Sequence, residues 1–116
     1  MKVSFEGIGE NVVTFYNSST TGAAAGEPVK ISGNGEVSKC EAGGRFFGVA
    51  LTCEGGFAAV QTDGYVQLAY SGAAPTAGFG MLAADGGGGV KTDADNGGEF
   101  LVVDVNTTDK TVGIIL

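Results

Sequence analysis

The sequence predicts an all-β chain: a single small β-barrel or β-sandwich-like domain with a weak internal repeat and short β-hairpins. Three observations predict it. Apolar residues come in short runs enriched in Val, Ile, Phe and Tyr, Gly, Asn, Asp or Ser bound those runs, and Gly supplies 22 of the 116 residues. That is the pattern of strands and turns rather than the helical period. The glycines follow no triplet repeat, which excludes collagen, and they read as turn residues able to adopt positive φ.

Taken in order, the apolar runs predict strands near 12–16, 28–32, 36–39, 46–53, 57–62, 65–70, 81–84, 89–92, 100–105 and 111–116. Asn34-Gly35, Asp63-Gly64 and Asn96-Gly97 favour the left-handed dihedrals of tight turns, and the first two lie directly between apolar runs. Both are therefore expected to close hairpins. Residues 18–26 are small and polar and read as an exposed, mobile loop, with a short Ala helix as the minor alternative. Residues 71–78 divide the chain into halves, and their Ala content suggests a packed connection. Residues 1–11 form an N-terminal arm or edge strand ahead of a single β domain over 12–116. Its length and 43% hydrophobic content suit one modest core.

An internal echo is the most informative feature. Pro28-Val29, Gly33, Gly35, Val37 and the run from Gly43-Gly44 through Phe46 to Leu51 recur as Met81-Leu82, Gly86, Gly88, Val90 and the run from Gly97-Gly98 through Phe100 to Val105. Each unit, about 28–51 and 81–105, reads as apolar strand, glycine turn, short strand, polar excursion and strongly apolar strand. Neither can bury its apolar face alone, so the two are expected to pack around one barrel-like core.

Charge narrows the partners. Thirteen acidic residues against six basic ones give −7, which repels a phosphate backbone and argues against nucleic acid. The N-terminus lacks the apolar core of a signal peptide, and no apolar run approaches a membrane span, so a soluble, unexported chain without membrane partners is expected. In such a chain Cys40 and Cys53 are expected as buried free thiols rather than a disulfide.

The chain has no His and no Trp, which removes the commonest general base and the commonest metal ligand. Cys40, between Lys39 and Glu41, has no candidate base beside it. Residues 93–99 alternate oxygen ligands ahead of a glycine but lack the distal glutamate of a calcium loop, and they read as a solvated turn. Gly86-Gly87-Gly88-Gly89 is followed by Val90-Lys91-Thr92, but this step leads into an acidic turn and not into the helix that a phosphate loop needs. No catalytic residue, cofactor site or metal site is therefore assigned, and the chain is expected not to be an enzyme.

The order Gly26-Glu27-Pro28-Val29, Asn34-Gly35-Glu36-Val37, Phe46-Phe47-Gly48-Val49-Ala50-Leu51 and Asp63-Gly64-Tyr65-Val66-Gln67-Leu68 resembles the small phage and prophage capsid cement, or head decoration, proteins, over roughly 26–116. The resemblance implies a non-enzymatic structural protein, often trimeric, that binds the major capsid protein of an assembled shell. It would stand on the virion surface, and in the host cytoplasm during assembly. Val3, Phe5 and Ile8, at near-alternating spacing, are the candidate partner-binding residues, able to add a strand to a partner's sheet. The alternatives are a small β-module binding a carbohydrate or other ligand, which needs a surface aromatic platform, and a carboxylate-dependent hydrolase, which needs two acids with perturbed pKa in a concave pocket.

Overall fold

The computed structural model describes residues 10–116, and among them are ten strands and no helix. They are β1 (Asn11–Asn17), β2 (Pro28–Gly33), β3 (Glu36–Lys39), β4 (Gly48–Glu54), β5 (Phe57–Asp63), β6 (Tyr65–Ala69), β7 (Gly78–Ala84), β8 (Val90–Thr92), β9 (Gly98–Asn106) and β10 (Thr111–Ile115). Every apolar run read as a strand forms one. The fold is all-β, as expected.

The first five strands close into a barrel in the order β1-β3-β2-β4-β5. All neighbours are antiparallel except β1 and β3, which run parallel through Tyr16 to Glu36 and Asn17 to Val37. The last five form a sheet in the order β6-β10-β9-β7-β8, and it repeats the same plan. β6 pairs antiparallel with β10 as β1 does with β5, and β10-β9, β9-β7 and β7-β8 match β5-β4, β4-β2 and β2-β3. Where β1 meets β3, the second sheet has a single parallel bridge, Tyr70 to Val90. The extra residue of a β-bulge also recurs, at Leu51 in β4 and at Val103 in β9, each three residues before its strand ends. The echo over 28–51 and 81–105 therefore marks three strands of a five-strand unit that the whole described chain repeats.

Three expectations about the connections are corrected. The Asp63-Gly64 turn closes no hairpin, because β1 and β4 already occupy both edges of β5 and leave β6 nothing to pair with there. It is instead the link between the units: Gly64 takes φ 90°, and the buried Gln61 amide donates to the carbonyls of Asp63 and Tyr65, both at 2.9 Å. The halves thus divide at 63–64. Residues 71–78 connect β6 to β7 inside the second unit, the place that 18–26 holds between β1 and β2. That earlier loop is anchored: the Asn17 side chain donates to the Ala23 carbonyl and accepts from the Ala23 amide, and Ala23 is buried in the barrel.

The buried apolar residues form two clusters rather than one. Inside the barrel lie Ala23, Val29, Val37, Ala50, Ala58 and Val60. These side chains are small, as the interior of a closed five-strand barrel requires. Leu68, Leu82, Val112 and Ile114 fill the second cluster, which also takes Cys40, Phe46 and Val49 from the first unit. Each large side chain buried there contributes roughly 1.5–3 kcal/mol. Backbone bonds from Gly43 N–H to the Ala84 carbonyl and from Ala84 N–H to the Gly44 carbonyl fasten the units together. Gly48 marks a close crossing, since a Cβ there would lie 2.6 Å from the Gln61 carbonyl oxygen.

Candidate functional site

Strand alternation turns Val12, Thr14 and Tyr16 of β1 out of the barrel, while Phe15 packs against its core. In the antiparallel register Tyr16 faces Phe57 of β5. The two rings stack with centroids 5.5 Å apart, yet Tyr16 is 60% and Phe57 50% exposed. Both flanks of the pair are acidic: Tyr16 registers with Glu36 on β3, and Phe57 with Glu54 on β4. One rung of the barrel wall therefore reads Glu36, Tyr16, Phe57, Glu54.

The neighbouring rung holds Thr14, Ala59 and Thr52, so the rings rise beside a floor of small side chains. Two glycine turns fix the aromatic end of β1. Tyr16 N–H donates to the Gly35 carbonyl at 2.8 Å, and Asn17 N–H donates to the Gly56 carbonyl at 2.9 Å. The turn glycines have φ of 65° at Gly35 and 84° at Gly56, which suits them to the hairpin tips on either side. Glu36 is oriented by the Ser32 hydroxyl, which donates to its Oε1 at 2.8 Å. Phe79, on β7, is a separate exposed apolar side chain.

Two concavities lie elsewhere. An open groove of about 490 Å³ at the junction of the units is lined by Glu10, Leu51, Gln61, Tyr65 and Gln67 among others. A second, of about 480 Å³, is lined by Lys30, Lys39, Cys40, Glu41 and Asp85 among others. In it Lys30 Nζ donates to Glu41 Oε1 at 2.8 Å, and this bond raises the Lys30 pKa and lowers that of Glu41. Burial works to raise the Asp85 carboxyl, but hydrogen bonds from the Gly87 and Gly89 amides and the Ser71 hydroxyl outweigh it and hold the group below its usual range. Both acids are thus kept ionised, the opposite of what a general acid needs.

The same bonds explain the four-glycine loop. Its amides at Gly87 and Gly89 point at the Asp85 carboxylate, so a carboxylate of the chain itself occupies the place a phosphate would take. In the 93–99 segment the Asp93 carboxylate accepts from the Asp95 and Asn96 amides, an Asx turn. Among the described residues no group of three or more Cys, Asp or Glu could hold a metal ion.

Cys40 and Cys53 are both free and sit against different clusters. Cys40 is buried, as expected, but Cys53 is only partly so, packed against the edge of the barrel cluster. Burial raises both thiol pKa values. Val3, Phe5 and Ile8 lie outside the described residues. The exposed aromatic rung was not singled out from sequence, although Tyr16 at the end of one alternating strand and Phe57 at the start of another carried the signal.

No protein-family model matches the chain, and no curated protein matches it.

Proposed function

We propose that this chain is a non-enzymatic binding protein that attaches to an assembled viral shell, through its major capsid protein, and braces it. The observation that carries the reading is the exposed Tyr16–Phe57 pair on a closed barrel wall. Two large rings held in water by hydrogen-bonded strands lose little conformational entropy when a partner covers them. The resemblance of residues 26–116 to capsid cement proteins supplies the partner class. A trimer, which that resemblance also implies, would gain avidity at repeated shell sites.

The test is to purify intact particles from the producing strain and quantify the chain on them. The reading predicts co-sedimentation with shells at a copy number on the order of the shell subunits. A chain that stays in the supernatant while shells sediment without it contradicts the reading.

The same rings favour a second reading, a carbohydrate-binding module, because exposed aromatic faces stack on sugars. Titration with a panel of oligosaccharides separates the two, since sugar binding would shift Tyr16 and Phe57 resonances without any shell present.

A further inference from the structure

We infer that the rung Glu36–Tyr16–Phe57–Glu54 is a docking strip for an extended basic segment of a partner protein, with one cationic side chain at each end and an apolar one between them. The inference rests on the binding reading and specifies the chemistry of the partner's contact.

Charge complementarity carries it. Cross-strand register puts a carboxylate at both ends of the exposed aromatic pair and no Lys or Arg in the rung. Lys30, which the β2–β3 register sets opposite Ser38, two residues from Glu36, pairs with Glu41 beside the second concavity and with neither carboxylate of the rung. Glu54 is exposed and donates or accepts no side-chain hydrogen bond among the described residues, and Glu36 is held in place by the Ser32 hydroxyl. A partner bringing acids here would meet repulsion from both ends, within a chain of net charge −7. A guanidinium or ammonium would meet a carboxylate and the edge of an aromatic face together.

Spacing sets the register. Followed along the curved barrel wall, the rung crosses three inter-strand gaps, about 14 Å of path at the usual strand separation and less in a straight line. An extended chain advances about 13–14 Å over four residues, with side chains i, i+2 and i+4 on one side. The fitting pattern is therefore basic-x-apolar-x-basic. The low floor of Thr14, Ala59 and Thr52 leaves room for the backbone of such a segment beside the rings.

The experiment titrates the isotope-labelled full chain with the peptide acetyl-Arg-Ser-Leu-Ser-Arg-amide and follows backbone shifts, with the Gln-Ser-Leu-Ser-Gln peptide as control. Expected are shifts confined to β1, β3, β4 and β5 around the rung, weakening as salt rises. Binding should fall at least tenfold for the Gln peptide, for Glu36→Gln with Glu54→Gln, and for Tyr16→Ser with Phe57→Ser. All four positions are on the outer wall, and an unchanged melting temperature verifies that each variant folds. Equal binding of both peptides, or shifts centred elsewhere, overturns the inference. So does a self-associated form lost in Tyr16→Ser with Phe57→Ser, which would assign the rung to a second copy. If the peptide fails but the wild-type chain still coats shells, this inference falls and the binding reading stands. If the peptide binds as expected and shells are never coated, the strip stands and the shell assignment falls.

Discussion

Phe46 and Phe100, which hold the same place in the two echoed segments, stack on each other with centroids 4.8 Å apart and planes 10° from parallel. They match in the sequence echo only, since Phe46 precedes β4 and Phe100 lies within β9, and the fold brings the two together at the junction. Phe46 is buried, so Phe46→Ala should cost about 3–5 kcal/mol. Phe100 is only partly buried against the same cluster, and Phe100→Ala should cost less. Urea unfolding of the two variants measures both; equal and negligible losses would show that the stack does not join the units.

Gly113 lies in β10 between Gln67 of β6 and Asp104 of β9. The Tyr65 hydroxyl donates to Asp104 directly above it, at 3.1 Å, and a Cβ on Gly113 would collide with both the Asp104 carboxylate and the Tyr65 ring. Gly113→Ala should therefore destabilise by about 1–3 kcal/mol through overpacking. In the Tyr65→Ala background the same change should cost markedly less, a coupling that a double-mutant cycle reads directly.

Much of this was legible in the sequence. Short β-branched and aromatic runs bounded by Gly, Asn, Asp or Ser located all ten strands, because buried strand segments between tight turns need that composition. Asn34-Gly35 announced its hairpin. Asp63-Gly64 has the same turn chemistry but opens a link between units, since local dihedral preference does not reveal that β5 already has two neighbours. The repeat was visible only where glycines and aromatics recur, across β2 to β4 and β7 to β9. β1 and β6 share their place in the fold with little sequence likeness, so their equivalence needed the pairing of Tyr16 with Glu36 and Tyr70 with Val90. The aromatic rung stayed hidden for a related reason: Tyr16 and Phe57 are 41 positions apart, by subtraction of their numbers, and become neighbours only through strand register.

The thiols should differ in reactivity. Cys40 is buried in the larger cluster and Cys53 is partly exposed, and burial raises both pKa values. Iodoacetamide at neutral pH is expected to label Cys53 first and Cys40 only on unfolding. Because both are free, the melting temperature should not change on adding reductant; a large drop would reveal a disulfide.

Asp85 gives the fold an acid limit. Its carboxyl is held below the usual value of 3.8 in the folded chain, so the stabilisation is complete above that pH and is lost as pH falls through the folded value. Asp85→Ala should lose about 1–3 kcal/mol at neutral pH, because the Gly87 and Gly89 amides lose their acceptor. Its stability should also fall less steeply than that of the wild type in acid. Melting curves from pH 7 to 2.5 test this, and parallel curves for the two proteins would assign the acid limit to other carboxylates.

The exposed rung is tested most directly by sedimenting intact shells with the wild-type chain and with Tyr16→Ser/Phe57→Ser, after confirming that the two melt alike. Removing two large aromatic anchors from a contact should cost at least 2 kcal/mol of binding, about thirtyfold in affinity. The account predicts that the wild-type chain sediments with shells and the variant stays in the supernatant at matched concentration. A variant that coats shells as well as the wild type does would contradict it and move the contact off the barrel wall.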